Sequence, residues 1–154
     1  YNTVSPATVI FNCTDNSYNV IEGIPCTYNT TTVNNKFFTV GSQFSYSTNE
    51  YVYYVNTIDP ATMEIINGFE RPDGTVAETP YNVISKMQNP YCVYCNPYTG
   101  HLYVVDAKSY TSAADVFEFD VNGNQVGSAL AAYINPGHMI AVPSNAVTSA
   151  TLRH

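Results

Sequence analysis

Tryptophan is absent and charge is scarce: Asp, Glu, Lys and Arg together make up 11% of the chain. The five basic residues, Lys36, Arg71, Lys86, Lys108 and Arg153, are scattered while the formal net charge is −7. Without a basic patch there is nothing to neutralise phosphates, so no nucleic-acid partner is expected. No apolar run approaches the roughly 18 residues of a membrane-spanning helix. There is no Gly-x-Ser-x-Gly elbow, phosphate-binding Walker loop or His-Glu-x-x-His zinc motif, and an enzyme is not expected. Neither an initiator Met nor a signal peptide precedes Tyr1, so a targeting segment is expected to have been removed or to lie elsewhere.

What fills the chain instead is tyrosine, with fourteen copies, together with Asn, Thr, Ser and β-branched residues. That balance suits an exported all-β protein. The stretch from Pro90 to Asn124 predicts three strands at 91–95, 101–106 and 115–120, each ending in Asn, Pro, Gly or Asp. A fourth at 125–130 completes a four-stranded antiparallel unit. Shifting the sequence by 65 positions without gaps lays Pro25 on Pro90, Phe38 on Tyr103, Val40 on Val105, Glu50 on Asp115 and Tyr51 on Val116. In that register 42–49 becomes a loop matching 107–114. Tyr18-Asn-Val-Ile21 is echoed by Tyr81-Asn-Val-Ile84.

Recurrence of a four-strand unit predicts β-propeller blades. The expected organisation over 1–142 is a part-blade at 7–22, a blade at 25–84, a blade at 90–131 and the first strand of a further blade at 138–142. A loosely held tail follows at 143–154. Propellers close with about four to eight blades, so this chain is expected to be a fragment of a larger ring. Otherwise a partner chain must cover its open edges. Between Asn67 and Asn89 the spacing breaks, and the residues from Gly68 to Pro80 read either as a long irregular connection or as a hairpin at Asp73-Gly74.

Individual residues with chemical capacity have plain readings. Cys92 and Cys95 have redox or zinc spacing, but on a strand residues three apart face opposite ways, so buried free thiols are expected. Cys13 and Cys26 are left as a pair or as free thiols. Asp120-Val-Asn-Gly-Asn124 opens like a calcium loop without its closing acid and reads as a type I′ turn at Asn122-Gly123. His101 reads as an exposed turn residue, and Glu64, Glu70 and Glu78 as surface charges. Asn12-Cys-Thr14 and Asn29-Thr-Thr31 are sequons that matter only in a eukaryotic secretory setting. No metal or cofactor is expected.

Asn89 to Tyr110, then Val116-Phe-Glu-Phe-Asp-Val-Asn-Gly123 and Ile134-Asn-Pro-Gly-His-Met139, resemble the closing blade of YncE-like propellers, especially exported surface-layer proteins of gut Bacteroidetes. The resemblance covers 80–142 well and 25–67 more weakly. It implies a seven-bladed ring of four-stranded antiparallel sheets at the cell surface or outer membrane. One branch of that family consists of lipoproteins that capture vitamin B12 for a TonB-dependent transporter. The resemblance therefore implies non-catalytic ligand capture, with a corrinoid as candidate ligand and such a transporter as candidate partner. A protein- or glycan-interaction scaffold is the alternative. In propellers the loops between strands two and three and between blades gather on one face. Here those are 42–49, 85–91, 107–114 and 132–138, and the expected pocket uses Tyr46, Asn89, Tyr91, Lys108, Tyr110 and His138.

Overall fold

The computed structural model of the chain describes residues 7–23 and 30–143. Expectations that fall on Pro25, Cys26, Asn29 and the tail from residue 144 onward lie outside these residues. An isolated hairpin comes first, β1 (Ala7–Phe11) with β2 (Tyr18–Glu22). A four-stranded antiparallel meander follows, built from β3 (Thr30–Val33), β4 (Lys36–Ser45), β5 (Glu50–Ile58) and β6 (Ile65–Asn67) in sequential order. A short hairpin, β7 (Phe69–Glu70) with β8 (Val76–Ala77), leads into a helix, α1 (Glu78–Ile84). A second four-stranded meander closes the order: β9 (Pro90–Cys95), β10 (Leu102–Asp106), β11 (Ala113–Phe119) and β12 (Leu130–Ile134).

Local chemistry explains the hairpins. Asn34 and Asn35 form the two-residue β3–β4 turn with φ of 51° and 61°, a left-handed pair that asparagine tolerates better than most residues. Three longer loops share one design: Asn12–Ser17, Asp59–Glu64 and Asn96–His101. In each, the first residue's side chain accepts an amide N–H two positions on, at 2.8–2.9 Å. The fifth residue (Asn16, Met63 or Gly100) has positive φ and donates back to the first residue's carbonyl. Asp120 heads a shorter version, accepting from the N–H groups of Asn122 and Asn124 at 2.9 Å. Only Gly123 of the expected Asn122-Gly123 pair has positive φ, so this is not a type I′ turn. The Asp120 carboxylate is consumed by its own loop.

The two meanders stack through opposite faces. Side chains alternate across a strand, and Val33, Phe38, Val40 and Val55 of the first sheet meet Val93, Leu102, Val104 and Phe119 of the second in one core. The sheets come close where β9 lies against β3 and β4, and the Cys95 N–H donates to the Thr31 hydroxyl at 3.0 Å. Phe69, Ala77, Ile84 and Met87 join the same core, with Phe69 edge-on to Phe38 at 5.6 Å. Under the 65-residue shift, Phe38 and Val40 correspond to Tyr103 and Val105, which lie on the far face of the second sheet. Val105 is buried there with Cys92 and Ala114, against Met139. The relation between the sheets is thus head-to-tail, unlike a two-fold sandwich in which equivalent faces meet.

Several expectations are corrected. The gapless shift holds for β4 and β10 only, because Val40 pairs with Val55 whereas Val105 pairs with Val116. The first hairpin is four residues longer, so residues 42–45 continue β4 and only 46–49 form its turn. The fourth strand lies at 130–134 rather than 125–130, since after an isolated Phe119–Gln125 bridge Gly127 turns to positive φ and breaks the ladder. Residues 138–142 form no strand, and there the Ala141 N–H goes to the Tyr94 hydroxyl at 2.7 Å. Residues 68–84 resolve into the hairpin reading plus the unanticipated helix. Pro80 is tolerated in its first turn, where no backbone donor is needed, and Pro80 and Ile84, one turn apart, are both buried. Among the described residues no helix is long and apolar enough to cross a membrane.

Candidate functional site

The connections at 46–49, 85–89, 107–112 and 135–138 all leave from one end of the two sheets, as the strand directions require. Asp106, at the end of β10 and 8% exposed, organises this rim. Its carboxylate accepts the N–H of Gln88 at 3.1 Å, of Asn89 at 2.9 Å and of Lys108 at 2.9 Å. The Ala107 N–H returns to the Asn89 carbonyl, and the Asn89 side chain donates to the Lys108 carbonyl. One buried anion thereby ties two loops about 18 residues apart, as a carboxylate with several oriented donors does well.

Four of the six expected site residues come together here. Tyr91 and Tyr110 pack edge to face at 5.5 Å, with Tyr110 44% exposed. Lys108 and Tyr110 both have positive φ, 50° and 62°, which bends the loop back over Tyr91. The Lys108 ammonium pairs with Asp115 at 2.9 Å on the surface. Asn89 and Lys108 therefore hold the rim together through their own contacts. Tyr46 sits at the tip of the β4–β5 hairpin, almost fully exposed, with its ring against Phe44. His138 is exposed on the segment after β12. Tyr53 ties the first sheet to the rim by donating its hydroxyl to the Gln88 carbonyl at 3.0 Å.

Other residues read as plain from sequence have structural partners. His101 Nδ1 lies 2.7 Å from Glu118, which also accepts the Tyr103 hydroxyl at 2.8 Å. The hydrogen bond from His101, aided by that from Tyr103, holds the Glu118 carboxyl below its ordinary value. Glu70 is not a surface charge: its carboxylate, 9% exposed, takes Lys36 at 2.6 and 2.7 Å. That bond pushes the Lys36 ammonium above its usual value. Cys92 and Cys95 lie in different cores on opposite faces of β9, as expected, and burial raises both thiols, disfavouring the reactive thiolate. Cys13 is an exposed free thiol. Among the described residues no group of three or more His, Cys, Asp or Glu is placed to hold a metal ion.

Sequence reasoning missed a second concavity. A cleft of about 590 Å³ opens where β6 stops pairing with β5, and α1 forms its other wall. Tyr54, Asn56, Asn67, Glu78, Tyr81 and Asn82 line it. The only hint in the sequence was the broken spacing after Asn67. Comparison with protein-family models gives no match for the chain, and comparison with characterised proteins gives none.

Proposed function

We propose that this chain forms consecutive blades of an exported β-propeller that captures a ligand at the cell surface without transforming it. The observation that carries this reading is the head-to-tail stacking of two equivalent meanders. Each sheet offers one face to its predecessor and the other to its successor, so the Tyr103–Val105 face is built to receive a further meander of the same kind. Hairpin β1–β2 ends in the same Asn/Asp-headed loop as β5–β6, 47 residues later, which fits it as the outer strands of a preceding blade. The remaining blades come from the rest of the same polypeptide or from a partner chain.

The ligand surface of this reading is the rim at which the interblade and second-to-third-strand loops gather. Tyr91 and Tyr110 offer aromatic surface on a scaffold fixed by Asp106, and a rigid platform binds at lower entropic cost than a mobile one. A corrinoid is the ligand that the family resemblance supports, with delivery to a TonB-dependent transporter as its use. The intact protein is incubated with cyanocobalamin, freed of unbound ligand by gel filtration and scanned for retained absorbance. Retained colour that falls at least tenfold with Tyr110→Ala supports the reading. No retention removes the corrinoid, and an intact mass too small for further blades, together with a monomeric state, removes the ring.

A further inference from the structure

The outer edges of the two meanders are covered unequally. Register lays β5 on β11 with an offset of 61 positions: Val40 pairs with Val55 as Val105 pairs with Val116, and Phe38 pairs with Thr57 as Tyr103 pairs with Glu118. In the second sheet β12 lies along residues 113–116, and the Phe119–Gln125 bridge continues the cover at the other end of β11. In the first sheet β6 pairs with residues 56–58, and a last bond runs from the Gly68 N–H to the Val55 carbonyl at 2.7 Å. Gly68 then turns at a φ of 126°, its missing side chain leaves room for Val76, and the chain departs into β7, β8 and α1. Residues 52–55, the equivalents of the stretch that β12 covers, are left with no outer strand among the described residues.

The cleft of about 590 Å³ lies along this edge. Its lining includes the consecutive residues 53–56 of β5. Side chains alternate across a strand, so what all of these residues share with the cleft is the strand's edge rather than either sheet face. The Val55 carbonyl points outward to Gly68, and the N–H and C=O groups of Tyr53 and Tyr51, two and four positions back, point the same way. They have no backbone partner among the described residues. Proteins blunt such edges with Lys, Pro or a bulge. Tyr51-Val-Tyr-Tyr-Val55 carries none of these, and Tyr51 and Val52 are 64% and 54% exposed.

We propose that the free edge of β5 is a strand-addition site, and that its occupant is an extended, uncharged or basic segment of a partner polypeptide running antiparallel to β5. The second sheet shows what the equivalent edge takes: Leu130–Ile134, an uncharged strand in antiparallel pairing. Main-chain bonds to Tyr51 and Tyr53 supply affinity, and alternate side chains of the added strand supply selectivity. Val76, Ala77 and Tyr81 on the opposite wall of the cleft favour apolar side chains there. Glu78 lines the cleft and Glu50 opens β5, while no Lys, Arg or His joins the lining, so an acidic segment meets like charge. The inference rests on the equivalence of the two sheets and is independent of ligand capture at the rim.

The test probes the intact protein on an array of short uncharged, basic and acidic peptides that includes the sequence Leu-Ala-Ala-Tyr-Ile of β12. The best binder is then titrated by fluorescence polarisation, alongside versions N-methylated at alternate residues. Binding to a subset of uncharged or basic peptides is expected. N-methylation of the alternate set whose N–H groups face β5 should weaken it at least tenfold, and methylation of the other set should change it less than threefold. Tyr51→Pro, which removes an outward N–H and leaves the β4–β5 bonds in place, should weaken it at least fivefold. The methylation series needs no variant, so it decides the matter even if Tyr51→Pro fails to fold. Absence of any peptide signal overturns the inference, as does equal sensitivity to both methylation sets. A concentration-dependent dimer that Tyr51→Pro dissolves also overturns it and assigns the edge to a second copy of the chain. Cyanocobalamin retention is read separately at Tyr110, so failure here is distinguishable from failure of the capture reading.

Discussion

The two meanders share strand order and stacking sense, yet their rim ends differ, and the difference begins at one pair of equivalent positions. Asp106 ends β10, whereas the 65-residue shift places Gly41 at the same point of β4. In the second sheet the carboxylate gathers three amides and draws loops 85–89 and 107–112 into a tight rim. In the first, the Tyr54 ring lies across Gly41, so close that an added Cβ would collide with its hydroxyl oxygen. The strands then run on as a ribbon to Ser45 and Glu50, ending in the aromatic tip of Phe44, Tyr46 and Tyr51. One framework thus supports a stitched loop after β10 and a longer, projecting hairpin after β4.

The largest effect should come from the core that both sheets share. Phe38→Ala removes a fully buried ring that packs on Phe69 and on the facing sheet, and should cost about 3–5 kcal/mol in urea unfolding. A loss under about 1 kcal/mol would mean that the sheets do not depend on each other. Asp106→Ala should follow at about 1–3 kcal/mol, because three partly buried amides lose the carboxylate they share. Hydrogen exchange should then rise at Gln88, Asn89 and Lys108 and stay unchanged at the β4–β5 hairpin, which separates the stitched rim from the ribbon.

A smaller, pH-dependent effect belongs to Glu118. Its folded-state value is depressed below the ordinary 4.5, so its contribution is present above pH 4.5 and is lost as pH falls through the folded value. Melting curves for the parent and Glu118→Gln should therefore be separated at neutral pH and converge in acid, and a separation that widens in acid would contradict the assignment. The smallest effect is expected at the ribbon tip, where Tyr46→Ala should change stability by no more than about 0.5 kcal/mol. A larger loss would show that the tip is covered by something else.

Much of the β architecture was legible because strands and turns are written locally. The alternation in Leu102–Asp106, the Asx residues that open loops and the opposed thiols of Cys92 and Cys95 all follow from period two and side-chain chemistry. The recurring loop could also have been seen: Asp59-Pro-Ala-Thr62 and Asn96-Pro-Tyr-Thr99 differ by little, and Asn12-Cys-Thr14 begins in the same way. The helix was hidden by its brevity, since Glu78–Ile84 is too short for a strong helical pattern and Pro80 looks like a breaker. At the site, grouping Asn89, Tyr91, Lys108 and Tyr110 was within reach of loop topology. The central role of Asp106 was not, because nothing in a strand-ending Asp announces which amides will meet it.

The sequence alone determined where the chain extends and where it reverses, for those choices depend on residues a few positions apart. Only the tertiary structure decided which sheet face meets which, that Phe69 and α1 share the core between the sheets, and that Asn56 is buried. Each of those outcomes depends on segments distant in sequence arriving at one place, and burial of a polar group is a property of that arrival rather than of the residue.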